Sequence, residues 1–553
     1  MEHSSATEIL DRGDQFRDYR PPIDVPQSTL PAVDILNNKC FDKFEVYYPL
    51  DSRRSKFFIP WDRLLEVISV PSVQTALQRW NEDISLTSNI CFSTDDKLTT
   101  KASYRRMLGI LVHLGRAEDI LVFIKNGLND SKLPLRLKPD RTGLMYTKAG
   151  TDVDVDFLQD WDKRTVKEFG EVQFAFISPY FVRPADGRLL HYILSEEDVL
   201  PILEESKWIR EPGDENPQPD TPVTHGVKQI QLHECHYDFG DYGFVTSTGP
   251  NHLFAMKSLS SNDREVFKRE VDFLKRTNHI RNAHLNKLLV TFEANHNGGL
   301  FHLVFPWAES DLYSFWKHRR PDTCHTAWIA QQLSGLASAL ALIHDDSESQ
   351  PAIRGNEPTY GRHGDLKPEN ILWFPGQPDC ARTGGILVLN DFGLGRYHRQ
   401  QSRSVVRPWD IMTSRTYRPP ECDVKGGRIN RKFDIWCLGA TFLEFVIWYL
   451  RGFEDVEFTF PEAREEEDNP NVMMGYFFSD TFFRVNHDHS EAFVKPSVAD
   501  WIQRLKADDR SAGFLRDLLL VIETRMLVVD QHARFTARQL ADHLRELCSK
   551  HSV

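Results

Sequence analysis

The sequence predicts an α+β protein of more than one domain, and three observations carry that prediction. Its 553 residues exceed what one core of ordinary size accommodates. Apolar runs at helical spacing alternate with runs rich in aromatic and β-branched residues. Between Glu211 and Thr224 the stretch E-P-G-D-E-N-P-Q-P-D-T-P-V-T can neither propagate a helix nor join a central strand, so it marks a boundary.

Composition narrows the function classes. Lys and Arg number 67 against 80 Asp and Glu, a net charge of -13, which argues against a protein that coats nucleic acid or anionic lipid. The eight cysteines include no C-x-x-C pair, so a reducing compartment is expected, the cytoplasm first and the nucleus second. His233, Cys235 and His236 lie together in H-E-C-H. As a strand lead-in they would point to alternate faces, which favours a solvent-edge cluster over a metal site. The N-terminal residues have no apolar segment of signal-peptide type. The most apolar run, from Leu438, contains Glu444 and reads as a buried helix; no membrane span is expected.

Along the chain, residues 1–35 are polar and proline-punctuated and read as a flexible tail. Residues 36–210 read as a mostly helical domain. Within it, R-R-M-L-G-I-L-V-H-L-G-R-A-E-D-I-L-V-F-I-K-N-G-L from Arg105 predicts a helical hairpin. V-Q-F-A-F-I-S-P-Y-F-V from Val172 predicts a strand or hairpin, with Arg183 to Gly187 as a turn before L-L-H-Y-I-L. The linker 211–224 follows, and residues 225–550 form the second large module. Leu253 to Lys257 reads as a strand, and F-K-R-E-V-D-F-L-K-R as an amphipathic helix whose Val271, Phe273 and Leu274 face inward.

The chemistry is concentrated after the linker. In-line phosphoryl transfer needs a carboxylate to orient the attacking hydroxyl, an amide and a second carboxylate to hold a cation, and lysines to neutralise phosphate charge. In H-G-D-L-K-P-E-N, Asp365 is the candidate base, Lys367 can neutralise charge near the transferred phosphate, and Asn370 is an oxygen ligand for Mg²⁺. Asp391 of D-F-G supplies the second metal carboxylate. Lys257 can face phosphates, oriented by an ion pair with Glu270.

In this order H-G-D-L-K-P-E-N, N-D-F-G-L-G-R, T-Y-R-P-P-E, F-D-I-W-C-L-G and D-Q-H-A-R-F-T-A make residues 228–548 resemble a eukaryotic protein kinase of the serine/threonine type. The resemblance implies a bilobal fold, with a small β-rich N-lobe at 225–305 and a mainly helical C-lobe at 309–550. It implies ATP and Mg²⁺ as cofactors and protein substrates as partners. Thr416 would touch Asp365 and Lys367, Glu421 would pair with Arg534, and Asp434 would anchor the catalytic loop. Val245, Ala255 and Leu372 match positions that sandwich the purine, Phe305 the gatekeeper, and Ala308 the hinge donor, since Pro306 has no N–H. The layout, a helical region ahead of such a domain, more loosely resembles a group of filamentous-fungal serine/threonine kinases.

Two departures temper the match. In the phosphate-loop stretch D-F-G-D-Y-G-F-V, Gly240, Gly243 and Val245 fit, but Asp238 holds the first glycine position. Gly364 stands where many kinases carry an arginine that clamps a phosphorylated activation loop. The loop Leu394 to Arg418, with Ser402, Ser404, Thr413 and Ser414, is therefore expected to need no such clamp. These departures keep a second function class in view, a pseudokinase or scaffold that binds nucleotide and partner proteins without transferring phosphate. Residues 1–210, with no constellation of catalytic spacing, read as regulatory or partner-binding.

Overall fold

A computed structural model describes residues 11–12, 32–36, 41, 45–47, 56–92, 103–140, 143–148, 151–184, 188–205, 225–240, 252–260, 264–294, 300–344, 359–376, 384–391, 396–399, 415–465 and 480–552. The chain divides into two compact units. One holds residues 1–241, 247–263 and 289–305; the other holds 242–246, 264–288 and 306–553.

After the short strands Asp11–Arg12, Glu45–Tyr47 and Lys56–Phe58, the first unit turns helical. Trp61–Val67, Val70–Arg79, Leu86–Cys91, Arg105–His113 and Ile120–Lys125 pack a core that includes Leu64, Ile110, Leu111 and Phe123, and the predicted hairpin is present at 105–125. A buried carboxylate organises its start: Asp130 accepts from the amides of Met107 (2.9 Å) and Arg106 (3.2 Å) and from the Ser103 hydroxyl (2.9 Å). These helix-start donors have no intrahelical partner.

The strand expected from Val172 is corrected: Val172 to Phe176 are the last turns of helix Lys163–Phe176. Asp162 caps that helix by accepting from the Thr165 amide at 2.7 Å. Val166, Phe169, Gln173 and Phe176 are buried at a helical period, and Gln173 closes both of its polar ends on the backbone of Leu135. Aromatic richness outweighed that period in the sequence reading. Only Phe181–Val182 is strand, and Leu190–Leu194 forms the strand expected after the turn.

A seven-stranded sheet completes this unit, in the order Asp11–Arg12, Leu190–Leu194, Val290–Ala294, Leu300–Pro306, Leu253–Ser260, His225–Leu232, Ile202–Glu205. Leu190–Leu194 lies parallel to Val290–Ala294, with His191 opposite Thr291. His225–Leu232 runs antiparallel to both Leu253–Ser260 and Ile202–Glu205. Strands on the two sides of the Pro-acid segment are thus neighbours in one sheet; residues 206–224 lie outside the described residues.

The H-E-C-H stretch is also corrected. Glu234–His236 is a 3-10 turn rather than a strand lead-in, so alternation across a sheet does not govern where His233 and Cys235 point.

The second unit is mainly helical. Phe433–Arg451 is buried along nearly its whole length and ends at Gly452, whose φ of +98° suits only glycine. Thr326–His344 packs against Ala537–Lys550, which starts with a reciprocal Thr536–Gln539 capping box. Both Thr326–His344 and Phe433–Arg451 are long and apolar enough to cross a membrane by composition, yet most of each is buried inside the protein. The acidic run E-A-R-E-E-E-D begins on helix Phe460–Glu465. Its Arg464 is 1% exposed, held between the rings of Phe460 (4.1 Å) and Phe482 (4.4 Å).

Candidate active site

Within the second unit a short antiparallel hairpin sets the geometry. Ile371–Phe374 pairs with Ile386–Leu389 in a register that puts Ile371 opposite Leu389. Asn370 and Asn390 therefore leave the same end of the hairpin, and the Asn390 amide donates to the Asn370 carbonyl at 2.9 Å. Asp391 comes next, at a left-handed φ of +56°.

The fully buried carboxylate of Asp434, at the start of Phe433–Arg451, pins the loop before Asn370. It accepts from the amides of His363 and Gly364 (both 2.9 Å) and from His344 Nε2 (2.7 Å). Burial pushes this carboxyl up, but the His344 hydrogen bond and the fields of His344, His363 and Arg362 outweigh it and leave the group below its ordinary value. His363 Nε2 donates to the Asn390 carbonyl at 2.9 Å, tying the loop to the residue before Asp391. The anchoring role expected of Asp434 is what the geometry shows.

On this frame the reactive groups converge. Asn370 Nδ2 donates to the Asp365 carbonyl (2.7 Å) and to Asp365 Oδ2 (3.0 Å), while Lys367 Nζ lies 3.5 Å from Oδ2. Asp365 is half-buried, oriented and beside a cation, as a carboxylate that accepts a hydroxyl proton must be. With Nδ2 committed, the Asn370 Oδ1 and the Asp391 carboxylate form a small set of hard oxygen donors. That set fits Mg²⁺, which keeps several waters and takes few protein ligands. Between Lys367 and Asn370, Glu369 is raised above its ordinary value by burial and by Asp311 and Asp365, with Lys367 opposing.

Gly364 has a φ of +87°. An arginine at that position would sit in a backbone region that side chains with a Cβ rarely adopt, so the turn favours glycine here.

Thr416 requires a correction. Its hydroxyl donates to both carboxylate oxygens of Asp480, at 2.8 and 2.9 Å, rather than to Asp365. Asp480 is held there by Arg464 Nε, which donates to its carbonyl at 2.7 Å, and it offers a charged acceptor that the sequence reading did not weigh. Nearby, Tyr417 donates to Glu444 at 2.7 Å. Glu444 is pushed up to about 7 by burial, against the opposing effects of Arg464 and Tyr417. The lone arginine within an acidic run flanked by Phe460 and Phe482 was the signal for this cluster. Glu421 and Arg534 form the expected buried pair, bidentate at 2.9 and 2.8 Å.

The remaining site residues divide between the units. In the first, Phe254 and Met256 are buried while the alternate Ala255 and Lys257 are half-buried on the other face of their strand. Phe305 is buried. Glu270 lies on helix Arg264–Asn278 of the second unit, its side chain outside the described residues, as are Gly243 and Val245. Ala308 and Leu372, also in the second unit, are half-buried.

Gly240 is exposed and has a φ of +62°; residues 241–251, which follow it, lie outside the described residues. The strands His225–Leu232 and Leu253–Ser260 that flank this segment pair directly with each other, and Tyr237–Asp238 pairs with Phe181–Val182. Asp238 Oδ1 accepts from the Gly240 amide at 3.0 Å, a local turn that uses the carboxylate on its own backbone.

A β-rich unit bearing a strand lysine, and a helical unit whose buried aspartate pins a D-x-K-x-x-N loop beside a D-F-G aspartate, define the class: a kinase fold. The model of the protein kinase domain matches residues 239–544, and the chain belongs to that family. Among its relatives are a probable cyclin-dependent kinase 8 of Dictyostelium discoideum, 27% identical over 37% of this chain and 52% of that protein. The meiosis induction protein kinase IME2/SME1 of Saccharomyces cerevisiae is 27% identical over 30% of this chain and 24% of its own length. The serine/threonine-protein kinase MAK of Mus musculus is 28% identical over 37% of this chain and 29% of its own length. The chain thus spans about half the length of these relatives or less.

Proposed function

We propose that the protein is a serine/threonine protein kinase that transfers the γ-phosphate of ATP to Ser or Thr hydroxyls of protein substrates. The observation that carries this reading is the Asp365–Asn370–Lys367 arrangement on a backbone pinned by Asp434. Asp365 accepts or orients the proton of the attacking hydroxyl, and Lys367 offsets the charge that develops on the transferred group. Asn370 and Asp391 hold Mg²⁺, which neutralises phosphate charge when bound. The roles of Ala255, Lys257, Phe305, Ala308 and Leu372 toward ATP rest on family membership and on the resemblance above. Residues 36–210 serve as a partner-binding or regulatory region in this reading.

The test is incorporation of labelled γ-phosphate into the protein and a generic basic substrate, comparing wild type with Asp365→Asn and Asp391→Asn. Incorporation that both substitutions abolish supports the kinase. Nucleotide binding without incorporation in wild type overturns it in favour of a scaffold.

A further inference from the structure

We propose that Asp62, His233 and Cys235 form a binding site for a divalent metal ion of the zinc class. The site lies in the first unit, where it ties helix Trp61–Val67 to the 3-10 turn Glu234–His236. Candidate donor atoms of the three side chains all lie within 4.8 Å of one another. Zinc bonds of about 2.0–2.3 Å require them to close by roughly an ångström. Asp62 is the exposed member of the three and already hydrogen-bonds Cys235.

Specific contacts hold the frame around the three residues, which separates this cluster from a chance meeting of polar groups. His236, the other histidine of H-E-C-H, is 4% exposed and takes no part in ligation because both its nitrogens are committed. Its Nε2 accepts from the Trp61 amide at 3.1 Å, and its Nδ1 donates to the Pro179 carbonyl at 3.1 Å. Accepting at one nitrogen and donating at the other, it is a neutral imidazole in both contacts. Through the Trp61 amide it fixes the helix start, and hence Asp62, against the turn that carries Cys235. The Phe58 ring meets both His233 (5.9 Å) and His236 (5.4 Å) edge to face and holds the His233 imidazole in place.

The donor set selects the metal. A thiolate with an imidazole is too soft for Mg²⁺ or Ca²⁺ and suits zinc, with the carboxylate as third ligand and a water completing a tetrahedron. His233 Nδ1 now accepts from the Cys235 amide at 3.2 Å, the long end of the range, so an ion at Nδ1 displaces a weak bond. The Cys235 thiol is pushed up to about 12 by burial and by the carboxylates of Asp62 and Glu234. A bound ion must therefore drive its proton to solvent, as metals do at thiol ligands.

The test uses the full chain, stripped by chelator under reducing conditions and titrated with Co²⁺, then with Zn²⁺ as competitor. The proposal expects one equivalent of Co²⁺ with a thiolate-to-cobalt charge-transfer band that Zn²⁺ abolishes. Cys235→Ser should remove the band. Asp62→Asn, a near-isosteric change at an exposed position, should weaken cobalt affinity by more than the 10–100-fold typical of losing an outer-shell partner. Zn²⁺ should raise the melting temperature of wild type and not of Cys235→Ser. No band in wild type, or a band undiminished in Asp62→Asn and Cys235→Ser, overturns the proposal.

Discussion

The catalytic loop and the stretch Asp238 to Val245 both read as phosphate machinery in the sequence, and the described residues of the two, the loop and Asp238 to Gly240, are held in different ways. In the loop, the spacing of Asp365, Lys367 and Asn370 becomes geometry because Asp434 holds the backbone in one shape. In the other stretch, Asp238 closes on the Gly240 amide and the strands on either side pair with each other. Spacing encodes a site where a buried anchor reads it out.

The largest expected effect tests the loop. Asp365→Asn should lower kcat/KM by about 10²–10⁴-fold, the usual worth of a general base. A smaller loss would mean that the loop geometry carries less chemistry than its anchoring suggests. Next is the C-terminal brace: Arg534→Ala leaves the buried Glu421 carboxylate unpaired and should cost about 3–5 kcal/mol of stability in denaturant unfolding.

Glu444 gives a pH test in the same unit. Its carboxyl, raised from an ordinary 4.5 to about 7, holds a proton that the unfolded chain has released. The resulting loss of stability is absent below about pH 4.5 and grows as pH rises to about 7, reaching roughly 3 kcal/mol. Glu444→Gln should flatten that part of the profile; parallel profiles for the two proteins would place the titration elsewhere.

Gly364→Ala should cost about 1–2 kcal/mol because of its left-handed φ. Gly364→Arg should add the same strain without making activity depend on loop phosphorylation, read by phosphatase treatment before assay. The smallest effect sharpens the other side of the comparison. Asp238→Ala should cost about 1 kcal/mol for one exposed turn bond and leave the KM for ATP nearly unchanged. A large change in KM, in either direction, would place Asp238 beside the nucleotide.

Much of the second unit was legible because its signals are local or motif-bound: the D-x-K-x-x-N spacing, the apolar helix around Leu438, the Glu421–Arg534 pair. The helical hairpin at Arg105 was equally plain from its period. What escaped needed long-range information. Val172 to Phe176 looked strand-like by residue type, and only the buried faces of Val166 and Phe169 show that helix continuing. Asp480 meets Thr416 across 64 residues of sequence. Cys235 finds Asp62 only because a 3-10 turn replaces the strand that alternation assumed.

One feature of the first unit changes how the chain can be dissected. Ile202–Glu205 and His225–Leu232 are sheet neighbours, while Leu190–Leu194 covers the side of Val290–Ala294 away from Leu300–Pro306. A truncation that starts at residue 225 strips partners from both sides of that sheet and leaves unpaired strand edges, the usual template for aggregation. A single cut engineered within 211–224 interrupts none of the described strands. The two pieces, co-expressed, should reassemble as a split protein, and only in that form can the N-terminal region be exchanged without sacrificing the sheet it helps to build.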